Sequence, residues 1–436
     1  MQITVYPSKP RNNTVVSIGG HKHSFVQILS AAMILKRECT IHNVPKTDDV
    51  LILKQIIRNL GGVASFRNHK FYLNPKDIKY KVPSVDLCNK IHGALYFLFA
   101  LAIRFHRFPL LDTGGCQIGK NKARPNDHLL EILNLFGKTE QLNDVEFSFQ
   151  PYNKQNIRLN IMRFSDSYFR LSGEKISSAT KLAILASLTN KYHKTVIKNP
   201  YIKTDVLDLL DFVAKDGHVV SSDKKHITIT PKQTKRPANI DFTISDCQSE
   251  VFTFITLALV NNIKLILQVN SADNVNRILY HELKALRKMG INIQFQEHQI
   301  IIPNNQVIKS KNIVIKQNQI QSDHQPFFAL LLLHGNKSAT IREEVWQSRF
   351  EYAKELCKLG HKIDFDTGRI TVHPTKRIKN NTRTVLCATD TRAAAVLAIA
   401  AIKPGKTTAI KHFEHVNRGY EDFIKKLQQI GVNISQ

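Results

Sequence analysis

Six times along this chain a helical stretch closes on a glycine and an apolar, strand-like step follows at once. The closures are Leu60-Gly61, Phe136-Gly137, Asp216-Gly217, Met289-Gly290, Leu359-Gly360 and Ile430-Gly431. A glycine just past a helix end takes the left-handed cap that residues with a Cβ resist. The closures recur every 70–80 residues, roughly, which is too long for a solenoid turn and too short for an ordinary domain. Six half-domain units imply two globules of three units each, with a cleft between them.

Each unit also holds an earlier, more apolar helix. The six are expected to begin near Lys22, His92, Ser177, Ser249, Asp323 and Thr391. In the first, Phe25, Ile28, Leu29, Ala32 and Met33 follow helical spacing. The later ones, such as Phe327-Phe328-Ala329-Leu330-Leu331-Leu332, are apolar nearly all round and should be buried. The second helix of a unit is amphipathic: Phe423, Leu427 and Ile430 form one stripe, with Lys425, Lys426, Gln428 and Gln429 elsewhere. The plan per unit is strand, buried helix, strand, surface helix, strand. This predicts an α/β (α+β) protein of two domains.

The chain has 436 residues, 42% of them hydrophobic, which suits globular domains and excludes a disordered chain. Its six cysteines are scattered without a CxxC pair, so free thiols in a reducing compartment are expected, with no metal site. An apolar run such as Ala94–Ile103 is too short to span a bilayer. The start Met1-Gln2-Ile3-Thr4-Val5 lacks the form of a secretory signal, and a cytoplasmic protein without a membrane partner is expected. The formal charge is +27, from 62 basic and 35 acidic residues. A nucleic-acid surface would explain it, as would lysine-rich solvated faces. No Lys/Arg block exceeds three residues, so the second reading is preferred, and a positive cleft for a small phosphorylated anion fits either.

Polar residues cluster where the buried helices start: Lys22, Ser177, Ser178, Asp323 and Arg392. Helix N-termini aimed at a cleft would make an anion site. Ser and Asp there could equally be caps, whereas Lys and Arg do not cap N-termini. Pro231-Lys232-Gln233-Thr234-Lys235-Arg236-Pro237 reads as a linker between the globules. The sharpest motif is Gly114-Gly115-Cys116-Gln117-Ile118-Gly119, followed by Lys120, Lys122 and Arg124-Pro125-Asn126-Asp127. A glycine-rich loop can close over a substrate, and positive charge around Cys116 favours its thiolate. A plain turn with an idle thiol is the alternative.

On these residues the chain resembles the enolpyruvyl transferases, and most of all the members acting on UDP-N-acetylglucosamine. The likeness runs the whole length in patches. Gly20-His21-Lys22 leads to Ile41-His42-Asn43-Val44-Pro45-Lys46. Gly114–Gly119 is similar to the family's cysteine loop. Arg349-Phe350 and Ala388-Thr389-Asp390-Thr391-Arg392 are similar to its arginine motifs, and His415-Val416-Asn417-Arg418-Gly419-Tyr420-Glu421 to a C-terminal signature. The resemblance implies an inside-out α/β barrel in two domains, each of three βαβαββ repeats. It places residues 21–233 in one domain and 1–20 plus 234–436 in the other, with a second crossover near Gly19-Gly20.

It also implies a reaction. An acceptor hydroxyl adds to C2 of phosphoenolpyruvate while C3 is protonated, and the tetrahedral intermediate then expels phosphate. The resemblance assigns Asp323 as the base, Cys116 as the proton donor and Lys22 as the third catalytic group. Lys22, Arg124, Arg349, Arg392 and Arg418 would hold phosphoenolpyruvate, since arginine's fork binds phosphate or carboxylate bidentately. The acceptor, a phosphorylated compound and on this resemblance a uridine nucleotide of peptidoglycan biosynthesis, would meet His23, His92, Arg124, Pro125, Asp127, Ser177, Ser178, Tyr201 and Asp323. No cofactor is implied, nor an oligomer.

Three departures stand out. His23 replaces the family's usual asparagine at the acceptor, and His92 its usual arginine near the nucleotide phosphates. Lys120-Asn121-Lys122 lengthens the cysteine loop by three residues. Gly173, Ser177-Ser178, Pro200-Tyr201-Ile202 and Asp323-His324-Gln325-Pro326 resemble the sister enzyme acting on shikimate 3-phosphate. UMP, another uridine nucleotide and shikimate 3-phosphate therefore stay open as acceptors. The rival of a different class is a basic, non-catalytic nucleic-acid-binding homologue. RNA 3′-phosphate cyclases, of related architecture, rank third because their motifs are not evident.

Overall fold

Short alternating runs become half-buried strands: in His226–Thr230, Ile227 and Ile229 point into the core while their neighbours face outward. Such strands and the apolar helices build a mixed α/β fold. The computed structural model describes residues 1–111, 113–114, 127–152, 156–165, 177–231, 237–375, 384–402 and 407–436. These fall into two compact units. One takes residues 1–19 and those from Asp246 onward, and the other takes those from Gly20 to Ser245.

Six sheets form among the described residues, and five share one pairing plan: a parallel pair followed by two antiparallel pairs. In the unit that begins at Gly20, Asn239–Thr243 runs parallel to Glu38–His42, which continues antiparallel to Lys70–Asn74 and then Val63–Arg67. Ile157–Asn160, Thr195–Lys198, His226–Thr230 and Val219–Ser222 repeat that order. The other unit has it three times, starting from the parallel pairs Thr14–Ser17 with Leu265–Gln268, Ile313–Ile315 with Ala339–Glu343, and Thr384–Cys387 with Thr408–Lys411. The remaining sheet, Arg107–Pro109, Glu146–Pro151 and Gly137–Gln141, is wholly antiparallel. Each sheet is open. No closed barrel forms among the described residues.

Parallel neighbours need a crossover, and buried helices supply it. Ser177–Ser187, Gln325–Leu333 and Thr391–Ala400 each connect such a pair. The helices Lys22–Leu35, Ala94–Phe105 and Ser177–Ser187 pack on one another at the centre of one unit. Gln248–Asn261, Gln325–Leu333 and Thr391–Ala400 do so in the other. The expected linker at Pro231–Pro237 is not where the chain changes unit. Asn239–Thr243 still completes the sheet of Glu38–His42, so the change comes between Ser245 and Asp246, and the earlier one lies at Gly19-Gly20.

Five of the six closing glycines, Gly61, Gly217, Gly290, Gly360 and Gly431, have φ between 84° and 100°. Gly137 is different. It opens a strand with no positive φ, and a Cβ there would collide with the Gln150 carbonyl oxygen. Its glycine is required by close approach of two strands rather than by a left-handed cap. No helix among the described residues is long and apolar enough to cross a membrane.

Candidate active site

In the unit that contains Asp246 onward, two buried helices begin beside one cluster of charge. Thr391–Ala400 starts on Asp390, whose carboxylate accepts from the N–H groups of Arg392 (2.7 Å) and Ala393 (3.1 Å). That cap fixes Arg392 in the first turn. A short 3₁₀ turn, Ser322–His324, precedes Gln325–Leu333 and presents Asp323. Arg349 comes from the turn that follows strand Ala339–Glu343.

The three meet. Arg349 Nη1 donates to Asp323 Oδ1 at 2.7 Å, and Arg392 Nη2 to Asp323 Oδ2 at 3.3 Å. Arg349 Nη2 also lies 3.8 Å from Asp390 Oδ1. Asp323 therefore spends its carboxylate on two guanidiniums. Arg418 ends the turn Phe413–Arg418, which packs on Thr391–Ala400, and Arg392 Nη1 approaches the adjoining Gly419. Arg392 also lies over the Tyr420 ring at 5.1 Å.

Burial disfavours charge on Arg349, yet Asp323 and Asp390 outweigh it and raise its basicity. Arg392 is raised likewise, with Tyr420 and Asp323 overcoming burial. Arg349 Nε, Arg392 Nη1 and Arg418 Nε are buried without a hydrogen-bond partner. An unsatisfied buried donor costs about 1–3 kcal/mol, so three in one cluster favour an anion that would accept from them. Glu343, behind the cluster, is pushed up to about 7 by burial, although the N–H groups of Trp346 and Val345, Ser322 and Arg349 all oppose the shift.

The other unit has a second cluster. Lys22 opens its helix, and Nζ donates to Asp49 Oδ2 at 3.2 Å. One turn into Ser177–Ser187, Lys181 donates to Asp205 Oδ2 at 2.8 Å, both side chains being buried. Burial alone would drive both toward neutrality. For Lys181 the Asp205 charge and Tyr96 outweigh it. For Asp205, Lys181, Lys203 and His21 do so and hold the carboxyl well below its usual range. His23 is held well below 6.5 by burial and by its neighbours Lys22 and His21, so it is neutral at pH 7. Lys181 lies 4.8 Å from the centre of the Tyr96 ring, whose edge meets His92. Ser178 Oγ is 2.6 Å from His128 Nε2, and Ser177 Oγ is buried without a partner. Tyr201 is buried, receives the Lys203 ammonium over its ring at 5.4 Å, and donates its backbone N–H to Thr180 Oγ1.

The structure thus joins Asp323, Arg349, Arg392 and Arg418 within one unit, and Lys22, His23, His92, Ser177, Ser178 and Tyr201 within the other. Cys116, Arg124 and Pro125 lie outside the described residues, as do Lys120, Lys122 and Gly173, and only the backbone of Asp127 is described, at the start of Asp127–Phe136. The five cysteines that are described are free, and burial raises the thiols of Cys39 and Cys88 to about 12 and about 11. Among the described residues no His/Cys/Asp/Glu group could hold a metal.

Sequence reasoning passed over Lys181, Asp205 and Glu343. Lys181 had a signal: it is the one charged residue of the helix Ser177–Ser187, next to its apolar run Leu182–Ala186. A charge at a core-facing position needs a buried partner. Asp205 had none, because its partner is distant in sequence.

The sequence pattern of the family described as EPSP synthase (3-phosphoshikimate 1-carboxyvinyltransferase) matches residues 6–427. The chain is 27% identical to the UDP-N-acetylglucosamine 1-carboxyvinyltransferase of Buchnera aphidicola over 98% of its own length and 97% of that protein's. It is 26% identical to the one of the Wolbachia of Brugia malayi, over 96% of each. Among solved structures it resembles the enolpyruvyl transferase NikO from Streptomyces tendae, with a TM-score of 0.88 at 26% identity over 100% and 98% of the two chains. It also resembles EPSP synthase from Acinetobacter baumannii, with a TM-score of 0.73 at 14% identity over 100% of each chain, a likeness of fold alone.

Proposed function

The chain belongs to the EPSP synthase family and is an enolpyruvyl transferase, and we propose that it carries the enolpyruvyl group of phosphoenolpyruvate to a hydroxyl of UDP-N-acetylglucosamine. The observation that carries this reading is the Asp323 carboxylate gripped by Arg349 and Arg392, with Arg418 adjoining, in a chain similar end to end to such transferases. That constellation suits the chemistry. Arginine N–H groups without partners can donate to the phosphate and carboxylate of the donor substrate. The displaced carboxylate is then free to take the acceptor's proton.

In this reading Lys22, Arg124, Arg349, Arg392 and Arg418 hold phosphoenolpyruvate. Asp323 deprotonates the acceptor hydroxyl as it attacks C2, and Cys116 delivers the proton to C3. Protonated Asp323, beside Lys22, then hands its proton to the departing phosphate and takes the C3 proton, which returns through solvent to the Cys116 thiolate, and the double bond is restored as an enolpyruvyl ether. Fixed cations in a site that excludes water stabilise the charge that moves. The acceptor lies against His23, His92, Arg124, Pro125, Asp127, Ser177, Ser178 and Tyr201. For UDP-N-acetylglucosamine the product is a peptidoglycan precursor. The family's barrel of βαβαββ repeats belongs to the same reading, and the pairing plan common to five sheets supports it.

A second acceptor class is favoured by one set of observations. His23 is neutral, and His92 and Lys181 share the Tyr96 ring, where the amino-sugar enzymes carry asparagine and arginine. These substitutions suit a different uridine nucleotide such as UMP. Phosphate release from phosphoenolpyruvate with UDP-N-acetylglucosamine, UMP or shikimate 3-phosphate decides the matter. Turnover only with UDP-N-acetylglucosamine is expected. Turnover with UMP selects the second reading, and silence with all three, together with salt-sensitive RNA binding, selects the non-catalytic one.

A further inference from the structure

Asp323 occupies the middle of a three-residue turn, and each of its neighbours is tied to a different buried carboxylate. On one side, Ser322 Oγ donates to Glu343 Oε2 at 2.8 Å. On the other, His324 Nδ1 donates to Glu282 Oε1 at 2.8 Å, and the same oxygen accepts the Gln321 N–H at 2.9 Å. The far edge of the imidazole, Nε2, meets Ser249 Oγ at 3.2 Å. Its face stacks on Phe252 at 4.9 Å and 29°. Ser249, His324 and Glu282 are all buried, so the row is shielded from water.

Ser249 and Phe252 lie in the first turns of Gln248–Asn261, and the next polar residue of that helix, Thr253, reaches the Tyr420 hydroxyl at 2.8 Å. Tyr420 in turn lies under Arg392. One helix therefore supports the turn that carries the acid and the ring beneath one of its arginines.

This support has a specific use. In the structure described, Asp323 is oriented by Arg349 and Arg392. Those guanidiniums are also the groups an anionic donor would take. Once their hydrogen bonds go to substrate, the carboxylate loses its front anchors just when its direction matters for proton transfer. Ser322 shares this exposure, since Arg349 Nη1 also reaches its hydroxyl at 3.5 Å, whereas the hydrogen bonds of His324 go to Glu282 and Ser249 and remain. We propose that Ser249, His324 and Glu282 form a buried clamp that fixes the direction of Asp323 during turnover, with His324 as a positioning residue of the reaction. This rests on the functional reading above.

The test compares His324→Leu with His324→Asn in the full-length protein. Leucine keeps apolar bulk against Phe252 but cannot donate. Asparagine places an amide N–H close to where Nδ1–H stands. For the acceptor that turns over, His324→Leu should lower kcat between about 10- and 100-fold, the cost of a carboxylate displaced by about 1 Å. KM for phosphoenolpyruvate should stay within about threefold, since the arginine contacts survive, and His324→Asn should recover most of kcat. A folded His324→Leu enzyme with wild-type kcat overturns the proposal, and so does a KM that rises while kcat holds.

If His324→Leu fails to fold, Ser249→Ala removes the weaker end of the clamp and should show the same split at smaller size. Nitrogen-15 labelling of histidine reads the clamp without activity. A proton resident on His324 Nδ1 at pH 7 is expected, and a ring that carries its proton only on Nε2 refutes the arrangement. If the wild type turns over none of the three acceptors, the functional reading falls by itself, while the nitrogen-15 spectrum still decides the clamp.

Discussion

Replacing Asp323 with asparagine separates two effects that the structure binds together. The carboxylate is the candidate base, and it is also a negative charge lying on the arginines that would take the donor. Loss of general base catalysis lowers kcat by about 10²- to 10⁴-fold. Loss of the charge acts on binding in the opposite direction. Arg392 Nη2 contacts Asp323 at 3.3 Å while Nη1 is the buried atom without a partner. An anion accepted by Nη1 would sit about 5 Å from the carboxylate, where two unit charges repel by about 3 kcal/mol at an effective dielectric of about 20. The Asp323 side chain is 32% exposed, and water screens part of this. A gain of about 1.4 kcal/mol, or tenfold, is the size to expect.

Asp323→Asn should therefore turn over poorly and bind anions more tightly. Phosphate release measures the first, and calorimetric titration with inorganic phosphate at fixed ionic strength measures the second, since added salt would mask it. A variant that retains kcat within about threefold refutes Asp323 as the base. A variant that binds phosphate more weakly than wild type refutes the shared use of the arginines, because it would mean that Asp323 organises them for the anion instead of competing with it.

Asp205→Asn leaves the buried Lys181 ammonium unpaired and should cost about 3–5 kcal/mol in urea unfolding, whereas Lys181→Met combined with Asp205→Asn should recover more than half of that; simple additivity would refute the coupling. Glu343 sits at about 7 when folded against 4.5 ordinarily, so between those values the folded protein binds more protons than the unfolded chain. Its contribution is present on the acid side and lost as pH rises from about 4.5 through about 7, up to about 3 kcal/mol, and Glu343→Gln should flatten that part of the stability curve. Asp208, raised to about 6 by burial, slopes the same way and should persist in the variant. Gly217→Ala meets no steric neighbour and should cost about 1–2 kcal/mol from its φ of 100° alone, while Gly137→Ala should cost more at ordinary φ, because its methyl meets the Gln150 carbonyl. Fosfomycin should alkylate Cys116 with the acceptor bound, and an unchanged intact mass would argue against a reactive thiol there.

The architecture was legible because its causes are local. A glycine with positive φ after five of the six surface helices, and an apolar stretch some residues before, depend only on nearby chain, and they mark the repeats within both units. Gly137 escaped the rule because its constraint is a strand opposite, not its own φ. The crossover at Ser245 escaped it because Asn239–Thr243 is claimed by a strand two hundred residues earlier, roughly, and no linker composition records that pairing. The site divides the same way. Asp323, Arg349, Arg392 and Arg418 could be named from motifs, each a short run of residues.

That two of those arginines share one carboxylate, that Asp390 caps the helix carrying Arg392, and that Lys181 finds Asp205, only the folded chain decides. Periodicity and φ belong to segments of a few residues. Ion pairs, perturbed acidities and buried donors arise where distant segments exclude water around each other, so they exist only once the units have closed.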